Sequence, residues 1–134
     1  MKLTACIRLP CVLVAMVLLL SGCTSNTAPK IIIELSYIST SSSAKLHYVN
    51  VISGGDKFHW YGVYSGEKKT ITLYPGAQSD NKITLFYQFA ANKQKQTWEG
   101  DEVQSELGYR IQIAIHENGE ITEQSCSLPC NLTP

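Results

Sequence analysis

Lys82-Ile83-Thr84-Leu85-Phe86-Tyr87-Gln88-Phe89-Ala90 places Ile83, Leu85, Tyr87 and Phe89 against Lys82, Thr84 and Gln88. Apolar and polar residues alternate with period two. Only an extended strand with one face buried sorts side chains this way, because successive Cβ atoms point to opposite sides of the pleat. Tyr109 to His116 repeats the pattern, with Ile111, Ile113 and Ile115 set against Arg110, Gln112 and His116. These two stretches decide the fold class, and the flanking segments agree with them.

Upstream, Ile31 to Ile38 opens with three isoleucines and then alternates, putting Ile31, Ile33, Leu35 and Tyr37 on one face. In Leu46 to Ile52, Val49 and Val51 oppose Tyr48 and Ile52. Phe58 to Tyr64 is expected to set Phe58, Trp60 and Tyr64 on one side and His59, Tyr61 and Val63 on the other. Thr70 to Tyr74 is a short strand with Ile71 and Leu73 as its apolar pair. Enrichment in β-branched and aromatic residues supports each of these strands. Between them lie Ser53-Gly54-Gly55, Ser65-Gly66, Pro75-Gly76 and Asn118-Gly119, all turn signals, and a type I′ hairpin is expected at Asn118-Gly119. No segment carries a sustained helical period with caps. About seven short antiparallel strands predict an all-β domain, a small β-sandwich of immunoglobulin-like or transthyretin-like type. A small closed β-barrel is the alternative.

The N-terminus has a different character. Lys2 and Arg8 precede an uncharged run from Leu9 to Leu20, which is shorter than the roughly 20 residues a spanning helix needs. Positive charge, a short apolar stretch and small residues in that order mark a cleaved signal peptide. Leu20-Ser21-Gly22-Cys23 closes the run. This quartet resembles the lipobox of bacterial lipoproteins, in which an aliphatic and two small residues precede a modified cysteine. The resemblance implies that residues 1–22 are removed and that the Cys23 thiol carries a diacylglycerol. The new amino group would be acylated in turn, by palmitate or a similar chain. Two or more acyl chains hold a protein stably at a membrane, whereas one does not. Residues 23–29 then form the lipidated N-terminus and a polar tether, and residues 30–134 the domain. Thr24 stands where the inner-membrane retention signal of enteric lipoproteins has Asp, which implies an outer-membrane location, with the domain in the periplasm or at the cell surface.

Loss of the leader leaves about 110 residues, enough for one core. Two of the 11 basic residues leave with it, so the remainder is slightly acidic. No basic run suits nucleic acid or anionic lipid. Of the five cysteines, Cys6 and Cys11 go with the leader, Cys23 takes lipid, and Cys126 and Cys130 remain. In an oxidising compartment these two are expected to pair across Ser127-Leu128-Pro129. Their spacing is not that of a thioredoxin-like redox motif, and no second pair completes a zinc site. So short a loop removes little unfolded-state entropy, so the disulfide is expected to shape the C-terminus rather than hold the fold.

Candidate chemistry is sparse. His47, His59 and His116 have no His or Cys at ligand spacing, and His59 and His116 are expected to face solvent from strands. The mature chain has no G-x-S-x-G. Glu99, Asp101, Glu102 and Glu106 do not match an EF-hand loop and read as solvated charge. No catalytic residue, metal or cofactor is expected.

The aromatic residues are more informative. Phe58, His59, Trp60, Tyr61 and Tyr64 form the densest cluster, with Trp60 expected in the core and Tyr61 as an exposed contact. Trp98, in a stretch read as a loop, either anchors a partner or packs over an open end of the sheet.

Two resemblances touch this region. Val103, Leu107 and Tyr109 are similar to the residues before the F strand of fibronectin type III and immunoglobulin-like domains, where the tyrosine hydroxyl bonds back to nearby main chain. Val stands here where the family prefers Leu. Trp98-Glu99-Gly100-Asp101-Glu102 is similar to a stretch of the membrane-bound C-type lysozyme inhibitors, which are β-barrel lipoproteins. Those have Lys where Glu99 stands. By architecture the chain also resembles the small β-sandwich lipoproteins that tether or assemble envelope machines, that of type VI secretion among them, without that subunit's sequence features. Together these imply a membrane-anchored, non-enzymatic lipoprotein that binds a protein partner or serves envelope assembly. The alternative is a periplasmic inhibitor or immunity protein against a cell-wall-degrading enzyme.

Overall fold

The computed structural model describes residues 29–74, 82–102, 108–130 and 132. The leader, Cys23, the Pro75-Gly76 turn, Val103, Glu106 and Leu107 lie outside the described residues.

Eight strands are present: β1 (Lys30–Ile38), β2 (Lys45–Ser53), β3 (Asp56–Tyr64), β4 (Lys68–Leu73), β5 (Lys82–Gln88), β6 (Gln96–Glu102), β7 (Gly108–His116) and β8 (Ile121–Ser127). They form two four-stranded sheets, ordered β4-β1-β7-β8 and β3-β2-β5-β6. The sheets stay separate, so the chain is a β-sandwich and not the closed barrel held as the alternative. Constant-type immunoglobulin domains keep their first two strands in one sheet. Here β1 and β2 lie in different sheets, and β1 runs parallel to β7. That leaves the transthyretin-like variant of the two expected.

The alternation read from the sequence builds the core. Ile31, Ile33, Leu35 and Tyr37 of β1 are buried with Ile111, Ile113 and Ile115 of β7, facing Val49, Val51, Ile83, Leu85 and Tyr87 of the other sheet. In register, Ile33 lies between Ile71 of β4 and Ile111 of β7, three isoleucines abreast. β-branched side chains pack well on such a half-buried pleat, and their burial is the main favourable term in folding.

Three local expectations change. Trp98 to Glu102 is not a loop but part of β6, paired with β5 through Leu85↔Trp98 and Thr84↔Glu99. Its acidic composition hid it, because Asp and Glu are depleted from strands. In β3 the expected alternation fails at Gly62, whose φ is 67°. Only glycine enters this left-handed region freely, and the local twist turns the residues after it to the other face; β2 changes phase at the same level, with Leu46 and Val49 both buried and no register shift. Val63 is consequently buried and Tyr64 is 49% exposed, the reverse of the sequence reading. The ladder with β2 omits Gly62 and His47 at the same level. The third change is at Asn118-Gly119, where the hairpin turn has three residues rather than two. Gly119 N–H donates to His116 O (2.9 Å), His116 N–H donates to Glu120 O (2.8 Å), and Gly119 has φ 87°.

This turn also ties the sheet ends together. Glu117 accepts hydrogen bonds from the Ser39 hydroxyl (2.6 Å) and the Thr40 N–H (3.1 Å), linking the β1–β2 loop to the β7–β8 turn. Those two donors hold the Glu117 carboxyl below its ordinary value of 4.5. A carboxyl depressed by folding adds stability that is complete above its unfolded value and disappears as pH falls through its folded one. The thermal midpoint of wild type is therefore expected to exceed that of Glu117→Gln at neutral pH, with the gap closing below the ordinary value. A gap independent of pH would exclude the carboxylate charge as its cause.

Cys126 and Cys130 are bonded as expected, with Cα atoms 6.3 Å apart. Leu128 N–H donates to Gly108 O (3.0 Å), which lays the small disulfide loop against the start of β7.

Candidate protein-binding face

The outward side of the β3-β2-β5-β6 sheet carries an aromatic stripe built around one cross-strand pair of tyrosines. Tyr48 of β2 is paired with Tyr61 of β3, and their ring centroids are 5.4 Å apart. His59, two residues back on the same face, meets the Tyr61 ring edge-on at 5.6 Å. Beyond it, Asn50 lies between His59 on β3 and Phe86 on β5. Tyr64 extends the stripe at its other end because Gly62 has turned it outward. Tyr61 is 69% exposed, the most open large apolar side chain among the described residues.

Cations lie over these rings. The Lys95 ammonium, delivered by the β5–β6 connection, sits 5.2 Å from the Tyr48 ring centre, and that of Lys45 lies 5.4 Å from Tyr64. Lysine over an aromatic face is attracted by the ring quadrupole at about 0.5–1 kcal/mol when exposed. Lys45, His47, Tyr61, Gly62 and Tyr64 line a shallow depression of ≈ 340 Å³. The Tyr64 N–H donates to Glu67 (3.1 Å), whose carboxylate also takes the Lys69 ammonium. Chiefly through Lys69, and then through the Tyr64 N–H, the Glu67 carboxyl is held below its ordinary range. This contact fixes where Tyr64 leaves the strand.

Of the two partner-contact candidates from sequence, Tyr61 stands in the middle of this face. Trp98 is half-buried and packs against the core, with its ring over Gly100; an added Cβ at Gly100 would come within 2.7 Å of it. That geometry matches packing at the open end of the sheet. Trp60 also packs against the core, and His59 faces outward as read. Sequence reasoning grouped Tyr64 with Tyr61 but passed over Lys45, Tyr48 and Lys95 as members of the same site. The signal available was Gly62, since an interior strand glycine marks a bend or bulge.

Other polar clusters are largely matched within themselves, although among the described residues the buried Arg110 Nε has no hydrogen-bond partner. His116 shares a hydrogen bond with Thr122 (3.1 Å), and Glu99 is ion-paired with Lys82. On the opposite sheet, a concavity of ≈ 400 Å³ lies over Ser36 and Ala114. At its rim the Glu34 carboxylate accepts from Gln112 (2.8 Å), with Lys68 at 3.7 Å and Arg110 at 4.0 Å. Among the described residues no group of three His, Cys, Asp or Glu side chains converges as a metal site would require. The stretch similar to the lysozyme inhibitors forms edge strand β6 of a sandwich, not part of the barrel that likeness implied. Compared with known proteins, the chain matches no family model, no curated protein and no solved structure, so its own surface carries the functional reading.

Proposed function

We propose that this chain is a lipid-anchored, non-enzymatic envelope protein that docks an acidic protein surface on the outer face of its β3-β2-β5-β6 sheet. The anchor rests on the lipobox-like Leu20-Ser21-Gly22-Cys23 and the polar stretch after it. The docking face rests on one observation, the Tyr64–Tyr61–Tyr48 stripe with Lys45 and Lys95 over its rings. Tyrosine offers large amphipathic contact area at low entropic cost and is enriched at interface cores. Lys45, Lys57 and Lys95 gather on the β3–β2 part of this face, with the acidic residues of β6 at the opposite edge, and they complement carboxylates on a partner.

Photocrosslinking in intact cells tests the reading. A photoreactive residue at Tyr61 of the full chain is expected to capture one discrete protein, identified by mass spectrometry of the membrane fraction. The same residue at Trp98 is expected to capture none, and Lys45→Glu with Lys95→Glu is expected to abolish the Tyr61 product. Capture only of lipid or of a second copy of this chain, or capture of another protein indifferent to the two charge reversals, would overturn the docking face. The anchor has its own readout: labelled palmitate should enter the wild type and not Cys23→Ser.

A further inference from the structure

Among the described residues the sandwich has four edge strands, and they are unequal. β4 is short and begins with Lys68 and Lys69. β6 carries Glu99, Asp101 and Glu102 and a register shift opposite Lys82/Thr84. β8 sets Glu123 opposite the inward-facing Ile113. Short length, charge, bulges and inward-facing charged residues are the devices by which natural sheets block edge-to-edge pairing. β3, by contrast, is nine residues long and bears Phe58, Tyr61 and Tyr64, three of the exposed large hydrophobic residues.

Its main chain is open in a defined pattern. Gly54 and Gly55 have φ of 60° and 88°, the signs of a two-residue type I′ turn, which makes Ser53↔Asp56 the closing hydrogen-bonded pair. Hydrogen-bonded and non-bonded pairs alternate along an antiparallel ladder. Phe58 and Trp60 therefore exchange bonds with β2, while the N–H and C=O of Lys57, His59 and Tyr61 point outward along the edge. The open run ends near Gly62, and beyond it Glu67 takes the Tyr64 N–H.

We infer that this edge pairs with the same edge of a second copy, antiparallel about a two-fold axis through His59. Three evenly spaced open residues match themselves in this register, with Lys57 opposite the second copy's Tyr61 and His59 opposite itself. Each such pair exchanges two main-chain hydrogen bonds. On the outer side a lysine faces a tyrosine ring, the combination that Lys45–Tyr64 and Lys95–Tyr48 already make within one chain. Lys57, which would block a foreign strand, is thereby accommodated. On the inner side Phe58 falls opposite the second copy's Trp60, an aromatic pair of the kind that stabilises adjacent strands. A strand that supplies the complement of its own side chains in one register is what an isologous interface requires. The joined sheets form one eight-stranded sheet whose outer aromatic stripe is continuous.

This inference concerns the edge and stands apart from the docking of an acidic partner on the face. Its test uses the full chain in membranes. His59→Cys brings two cysteines into a hydrogen-bonded pair with Cα atoms about 5.5 Å apart, within disulfide range. Mild oxidation is expected to give a covalent dimer absent from wild type and from Thr72→Cys on the β4 edge. His59→Lys and His59→Glu are each expected to lose the non-covalent dimer in detergent by like-charge repulsion, and co-expression of the two is expected to restore a mixed dimer. Linking of His59→Cys no better than Thr72→Cys, a dimer that survives in both charge variants, or no rescue on co-expression would overturn the inference. A Tyr61 crosslink to a second copy of this chain supports the edge pairing, whereas only a product with a different protein supports the docking face.

Discussion

Gly108→Ala is expected to destabilise the fold by roughly 3 kcal/mol, through a steric clash that no rotamer relieves. Gly108 opens β7 with φ 113° and is paired in register with Lys30 of the parallel strand β1. A Cβ at this position would lie 2.3 Å from Lys30 O and 2.8 Å from Lys30 N, both main-chain atoms, and 3.1 Å from Leu128. To make room, β1 would have to draw away from β7 at the start of the parallel pair on which that sheet is centred. Gly66→Ala separates the two costs involved. Gly66 has φ 80° but nothing within 4 Å of an added Cβ, so only the left-handed backbone is penalised, at about 1–2 kcal/mol. Urea unfolding of the purified protein should show the Gly108 midpoint falling well below that of Gly66→Ala. Equal midpoints would mean that β1 yields easily at Lys30.

Ile33→Ala is expected to cost about 3–4 kcal/mol, a large share of the roughly 5–15 kcal/mol that stabilises a typical domain. Ile33 is fully buried, and its neighbours Ile71 and Ile111 are held at fixed spacing by strands on both sides, so the cavity left by truncation cannot readily collapse. Ile33→Val removes one methyl group and should cost about 0.5–1.5 kcal/mol. Ile32 alternates to the outer face of the same strand and is only half-buried, so Ile32→Ala is expected to cost less than Ile33→Ala. Equilibrium unfolding of the three variants gives the comparison. A cost at Ile32 as large as that at Ile33 would contradict the side-chain assignment of β1.

Most of the fold was legible because a half-buried strand writes its orientation into its side chains. Ile31, Ile33 and Leu35 of β1, Ile83 and Leu85 of β5 and Ile111, Ile113 and Ile115 of β7 all face the core as their alternation requires. β6 escaped because its inward positions are Trp98 and Gly100, only one of them a large apolar side chain, and the rest of the strand is polar or acidic, which strands disfavour. The candidate site was legible only at Tyr61. Its other members come from β2, from the far end of β3 and from the β5–β6 connection, and pairing between distant segments brings them together.

By itself the sequence determined that this is an all-β domain of short strands with an isoleucine-rich core, because period two requires no knowledge of what each strand meets. It also made Cys126–Cys130 the expected pair, with three residues between them and able to close a small loop, and the two are bonded. Which strands are neighbours was decided only in the tertiary structure, where β1 lies between β4 and β7, antiparallel to the first and parallel to the second, and β2 crosses to the second sheet. Burial constrains the face of a strand but not its order in a sheet, and a register links residues far apart in the chain. The direction of Tyr64 was decided there too, by one left-handed glycine whose backbone angle no side-chain pattern records.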